Sequence, residues 1–311
     1  MTFKSNTTWV VLAVALIASL WFSEAHAAKG SFERTLDVDE ALLLDVGTGS
    51  GSITVQSGPA GTVEIIGHIK VGTSLFRRSD KSAQELLEEL MENPPVELLD
   101  GKLRVGHLKG RPFTSNISIS YEIVVPADTR VKSRTGSGSV SIDGVVEVVK
   151  ASSGSGRVNM NSIAGDARAN TGSGSIRAEG IAGAFDGDSG SGGIYLEQSA
   201  PGDVKVSTGS GTIELHNIEG ALHARAGSGR VRVDGRQNGT WDIDTGSGSI
   251  KIDLPDDAAF VLDAESSSGG INIDHPVTVQ GKISKRHLRG TVRGGGDLLK
   301  IDTGSGGITV N

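Results

Sequence analysis

With no cysteine among 311 residues, disulfides, thiolate metal sites and cysteine nucleophiles are excluded, and any chemistry must come from carboxylates, histidines, hydroxyls and amines. The most regular candidate is a polar series, Gln56, Asp143, Asn161, Glu179, Glu197, His216, Asp234, Asp253 and Asp274, whose members from Asp143 onward recur every 18 to 21 residues. Stacked on adjacent strands, neighbours in it would stand about 5 Å apart, which overlaps the carboxylate spacing of retaining glycosidases. Solvated polar residues at the ends of repeated strands give the same series, and that reading is simpler. A sugar-processing cleft also wants stacking aromatics, and beyond the leader the chain has only Trp241, Tyr121, Tyr195 and five phenylalanines.

The remaining chemical candidates are weaker, with one exception. His68, His107, His216, His223, His275 and His287 show no His-x-x-x-His or similar ligand spacing, so no metal site and no cofactor is expected. Serines recur in Gly-Ser-Gly, but a hydrolase needs one activated serine with a positioned histidine and acid. No copy carries G-x-G-x-x-G leading into a helix, nor a following Lys-Ser or Lys-Thr, so a nucleotide-binding loop is not indicated. The exception is the run KISKRHLRGTVRGGG from Lys282 to Gly296, which holds Lys282, Lys285, Arg286, Arg289 and Arg293 and no acid in a chain of net charge −7. It reads either as basic side chains that blunt an exposed sheet edge or as a contact for an anionic envelope polymer or lipid headgroup. On the second reading the binding residues are Lys285, Arg286, Arg289 and Arg293.

The elements that would position these groups come from a repeat. A small residue, usually a hydroxyl, then Gly-Ser-Gly, any residue, Ile or Val, any residue and an apolar residue recurs ten times, starting at Thr48, Thr135, Ser153, Thr171, Ser189, Thr208, Ala226, Thr245, Ser266 and Thr303, with Ser267 in place of the first glycine in the Ser266 copy. The third position is serine and the fourth glycine in every copy. The sixth is always β-branched, as in Ile176, Ile194 and Ile213, and polar residues such as Arg177 and Glu214 separate it from the next apolar one. That alternation is a half-buried strand. A second inward pair precedes the motif, as in Val204/Val206, Leu222/Ala224 and Trp241/Ile243, which puts Trp241 in the core. Each repeat therefore supplies two short strands joined by a Gly-Ser-Gly corner, where glycine is expected for a positive φ. One repeat cannot bury its apolar face alone, so identical columns must stack as ladders about 4.8 Å apart.

The spacing rules out the two nearest repeat alternatives. Left-handed hexapeptide helices place an apolar residue at every sixth position, and calcium-binding β-rolls follow their glycines with a ligand aspartate where this chain has Ile or Val. The predicted fold is all-β, a single-stranded parallel β-helix or solenoid of about 18–19-residue coils, right-handed, with a short helical insertion. Residues 79–93 supply that helix: Ala83, Leu86, Leu87, Leu90 and Met91 form one stripe, Ser82 and Glu85 fit a capping box, and Asn93-Pro94-Pro95 ends it. The alternation of Ile117, Ile119, Tyr121, Ile123 and Val125 predicts a strand before Pro126.

The start of the chain has Lys4, an apolar run from Trp9 to Phe22, and Ala25-His26-Ala27 before Ala28, the order of a secretory signal peptide. The run is shorter than the roughly 18–20 apolar residues of a membrane span. The expected organisation is a signal peptide at 1–27 cleaved after Ala27, an N-terminal β region at 28–130 whose helix covers an end of the stack, and a repeat solenoid at 131–311. The mature protein is expected in the periplasm or at the cell surface. Its glycine content, 45 of 311, is about twice the average usage of roughly 7%, as repeated corners require. The acidic balance disfavours general nucleic-acid binding.

The Thr-Gly-Ser-Gly-[Ser/Thr]-Ile units, preceded by a strand ending in Val-Val-Pro and led by a signal peptide, resemble a bacterial family of candidate adhesins built as glycine-rich β-solenoids. The resemblance runs over about residues 30–311 and implies the solenoid architecture and an adhesin-like role, with no catalytic residue to carry over. The function expected is a non-catalytic envelope scaffold or binding protein for a glycan, envelope component or protein, with contact to a membrane surface. The alternatives are a carbohydrate-active enzyme on a β-helix, and an envelope-stress accessory protein.

Overall fold

A computed structural model describes residues 27–38, 42–72, 82–107, 117–279 and 284–311; the signal peptide expectation, residues 79–81 and Lys282 lie outside these. Among the described residues all strands join one 25-stranded sheet, and one helix, Ala83–Glu92, accompanies it. The protein is an all-β solenoid with two parallel ladders. The first ladder carries the pair that precedes each corner, and its core column runs Val131, Val149, Ala167, Phe185, Val204, Leu222, Trp241, Leu299, Leu262 in register. The second carries the pair that follows, Ile53, Val140, Val158, Ile176, Ile194, Ile213, Val231, Ile250, Ile308, Ile271. Nearly all of these side chains are buried, Trp241 fully, with its Nε1 donating to Gly220 O at 2.9 Å. Phe185 fits because its ring folds over Gly187, where a Cβ would meet it at 2.7 Å.

The corner works differently from the expectation of a positive φ. Gly209 and Gly211 are not among the glycines in the left-handed region; what forbids a side chain is the coil below. A Cβ on Gly211 would lie 2.1 Å from Gly192 O, and one on Gly138 would lie 1.9 Å from Gly51 O. The motif's first-position hydroxyl binds the same corner to its neighbour. Thr208 Oγ1 donates to Gly192 O at 2.8 Å and accepts from Gly211 N at 3.1 Å, and Ser189 repeats the arrangement with Gly174 O and Gly192 N. These first-position hydroxyls are buried from Thr48 to Thr303, with Ala226 the one copy that lacks the oxygen. The third-position serines, by contrast, are exposed in all ten copies.

Stack order departs from chain order at two places. The coil at Thr48 sits directly beneath the one at Thr135, and the coil below Thr48 comes from the intervening segment, whose Lys102–Val105 and Ile117–Pro126 run parallel to Leu43–Thr48 and Ile53–Gly58. Its strands Thr62–Val71 and Ile117–Pro126 pair antiparallel, Ala28–Asp37 adds to Thr62–Val71, and the helix packs on that sheet, with Met91 and Leu87 against Gly30. The capping box is present: Ser82 Oγ accepts from Glu85 N at 3.2 Å, and Glu85 Oε2 from Ser82 N at 2.7 Å. At the other end the coil of Leu298–Ser305 and Ile308–Val310 lies between that of Trp241 and that of Phe260–Ser266. The reason is a hairpin: after Ile273 the chain runs through Val277–Thr278, returns as His287–Val292 antiparallel to Phe260–Ser266, and only then drops into the gap.

Candidate functional site

Each coil turns two strands outward, so the solvent-facing residues form columns, and what they can do depends on their partners one coil away. On the second ladder the polar series is in register from Asp143 through Asn161, Glu179 and Glu197 to His216. Its members bind neighbours and do not converge on one point. Asn161 Nδ2 donates to Asp143 Oδ1 at 2.5 Å, His216 Nδ1 stands 2.5 Å from Asp234 Oδ2, and Asn311 Nδ2 reaches Asp253 Oδ1 at 2.7 Å. Arg177 pairs with Glu179 and lies 4.3 Å over the Tyr195 ring, while Tyr195 reaches Glu197 Oε2 at 3.4 Å. The Glu179 hydrogen bond holds the Arg177 guanidinium above its ordinary pKa. Desolvation, helped by the Glu197 charge, pushes the Tyr195 phenol up. A shallow groove of about 630 Å³ runs beside Asn159, Asn161, Arg177, Tyr195 and Glu214.

The first ladder's outward face is similar towards its upper end. His223 Nδ1 and Lys300 Nζ lie 3.3 and 3.6 Å from the carboxylate of Asp242, and Lys300, 3.0 Å from Asp302, has its pKa raised chiefly by that hydrogen bond. A second groove of about 660 Å³ lies here, lined by Lys150, Arg168, Ala184, Lys205 and Ala221 among others. Two aspartates at its edge serve the fold, since Asp166 Oδ1 accepts from Ala184 N and Asp203 Oδ1 from Ala221 N, both at 3.0 Å. Among the described residues no group of three or more histidines and acids could hold a metal ion, and no helix is long and apolar enough to cross a membrane.

The basic run singled out in the sequence lies at the top of the first ladder. Lys285, Arg286, Arg289 and Arg293 are all exposed, but they are not equivalent. Arg289 makes a two-point contact to Asp263, Nε to Oδ1 at 3.0 Å and Nη2 to Oδ2 at 2.9 Å. That hydrogen bond, with a further one from His287, holds the Asp263 carboxyl below its usual range. The Arg286 carbonyl accepts from Ser266 N at 2.8 Å, and Arg293 occupies a turn at φ 48°.

Reading the sequence by its post-corner column misses a second cationic group. Lys132, Lys150 and Arg168 stand in register on three successive coils of the first ladder, and their spacing of 18 residues was the available signal.

The sequence profile described as Toastrack DUF4097 matches residues 99–311. No curated protein matches the chain. Among solved structures it is similar to a candidate cell adhesion protein from Clostridium sporogenes ATCC 15579, at 12% identity and TM-score 0.21 over 90% of this chain and 99% of that one. It is also similar to a candidate adhesin from Bacteroides fragilis NCTC 9343, at 14% identity and TM-score 0.39 over 91% and 98%.

Proposed function

The chain belongs to the Toastrack DUF4097 family, and from that premise we propose that it is a non-catalytic scaffold of the cell envelope that binds a ligand along its repetitive face. The observation that carries this reading is the pairing of outward polar residues between neighbouring coils, Asn161 with Asp143 and His216 with Asp234. Side chains engaged in this way repeat along the stack, which suits an extended ligand met many times over better than one reacting bond. Placement in the periplasm or at the cell surface is supported by the sequence of residues 1–27. For the basic run at 285–293 the proposed role is to shield the sheet edge, supported by the pairing of His287–Val292 with Phe260–Ser266.

The test is to incubate protein lacking residues 1–27 with fractionated bacterial envelope and purified glycans, measuring saturable retention and release of reducing ends together. Retention without release is the expected result. Turnover abolished by Glu197→Gln would establish the carbohydrate-active alternative, and failure to retain any fraction would overturn the scaffold reading.

A further inference from the structure

Like charges stand in register on three successive coils of the first ladder in two rows, the acids Asp244, Asp302 and Glu265 and the cations Lys132, Lys150 and Arg168. Above Arg168 the first ladder's outward column reads Asp186, Lys205, His223, Asp242, Lys300, Asp263, with signs that largely alternate. Below it stand Lys150 and Lys132 on consecutive coils, with Asp45 beneath Lys132. Parallel neighbours lie about 4.8 Å apart, and like charges directly opposite destabilise a sheet. Arg168 has relief from Asp186 at 3.4 Å. Lys132 and Lys150 have no carboxylate within 4.0 Å among the described residues.

The surroundings deepen the imbalance. Arg130 and Arg134 project from the same face of the strand Arg130–Thr135, on either side of Lys132, and both are exposed. Of the acids around this face, Asp45 is in register with Lys132 on the coil below, but its carboxylate is engaged by Lys102 and His107 at 3.5 and 3.4 Å; Asp166 is occupied by Ala184 N, and Asp128 and Glu147 lie in the turns that precede the strands. Beside the row, Arg134, Ser152 and Asn170 are in register with one another, so hydroxyl and amide groups run parallel to the cations. A chain of net charge −7 therefore concentrates five cations on three coils, and among the described residues the central two have no carboxylate within ion-pair distance.

We infer that the row Lys132, Lys150 and Arg168, flanked by Arg130 and Arg134, is a docking track for a linear acidic polysaccharide that lies along the stack with a carboxylate over successive coils. The inference rests on the scaffold reading and names its ligand class. Two features select this occupant. The cations form a line with one member per coil, matching a polymer that carries one anion per sugar rather than a plane of headgroups. Ser152 and Asn170 offer hydrogen bonds to the hydroxyls that accompany each carboxylate.

The test uses protein lacking residues 1–27 with oligogalacturonate and alginate oligosaccharides, followed by calorimetry at low salt. Neutral dextran and phosphatidylglycerol vesicles serve as comparisons. Wild type is expected to bind the acidic oligosaccharides and not dextran, and to lose affinity as the screening length falls from about 30 Å at 0.01 M salt to about 8 Å at 0.15 M. Lys132→Gln/Lys150→Gln should weaken binding by about tenfold or more, since charge-assisted bonds are lost. The same variant should melt no lower than wild type, because it removes a like-charge contact; that separates lost binding from lost folding. Lys285→Gln/Arg286→Gln/Arg293→Gln should bind like wild type. Absence of wild-type binding to either acidic oligosaccharide, undiminished binding by the double variant, or a preference for the vesicles would each overturn the track. Envelope retention that survives in the double variant would sink the track alone and leave the scaffold reading standing.

Discussion

Replacing Gly211 with alanine tests why the repeat needs glycine. The new Cβ would stand 2.1 Å from Gly192 O, 2.4 Å from its carbonyl carbon and 2.6 Å from Gly193 N, where ordinary contact begins at 3.4 Å. All three are backbone atoms of a coil held on both sides, so no side chain can swing away and the two coils must part locally. Overpacking of this kind costs about 1–3 kcal/mol. Parting the coils also weakens the bonds of Thr208 Oγ1 to Gly192 O and Gly211 N, each worth about 1 kcal/mol net. The expected total is about 3–5 kcal/mol. The control is Gly270→Ala, where the added Cβ meets nothing within 4 Å and φ is outside the left-handed region. It should change stability by under about 0.5 kcal/mol, or raise it slightly by restricting the unfolded chain. Urea denaturation followed by far-UV circular dichroism suits a protein whose described residues are 63% strand and 4% helix, and comparison at constant m isolates stability. Equal effects at the two positions, or a loss under about 1 kcal/mol at Gly211, would refute the close-approach explanation.

Thr208→Val should cost about 1–3 kcal/mol, because Gly192 O and Gly211 N lose their buried partner, while Thr208→Ser should be near neutral; urea midpoints decide. Ala226→Ser installs the missing hydroxyl at a buried corner and should add about 0.5–1.5 kcal/mol, read as a higher melting temperature. Arg289→Met should destabilise at neutral pH. Asp263 has a depressed pKa in the fold, so its contribution is present above the unfolded value of about 3.9 and is lost as pH falls through the folded value. Thermal melts of variant and wild type should therefore converge in strong acid, and a gap that persists there would sink the assignment.

Much of the fold is legible because each column has one environment. The alternation around Ile176, Ile194 and Ile213, the inward place of Trp241, and the helix begun by Ser82 and Glu85 all follow from local pattern. The order of the last coils does not. Every copy's columns match every other's, so Ile308 fits beside Ile250 as well as Ile271 would, and only the length of the intervening hairpin decides. The role of the corner glycine is hidden for a related reason: positive φ and close approach demand the same residue, and the latter is visible only once Gly192 is placed beneath Gly211. The polar series of the second ladder is correctly placed in register by its period, but its pairwise bonding is a property of neighbouring coils. The row Lys132, Lys150 and Arg168 has the same period and is overlooked when the columns are read after the corner rather than before it.

The inserted coil changes how the molecule can assemble. An ordinary solenoid can lengthen by adding each new coil to a finished end. Here that mode can operate as far as Asp253, after which it stalls: the coil of Phe260–Ser266 has no surface of its own to settle on until Leu298–Ser305 arrives between it and Trp241. Residues 260–310 must therefore close as one event involving a hairpin and two coils, a step rich in distant contacts and slow by its topology. A ribosome or export channel that releases the chain from its start would deliver a finished stack with an open top, and that top would be sealed only when the last coil is free. Until then the strand edge at Trp241 lacks its partner and is open to capture by another chain.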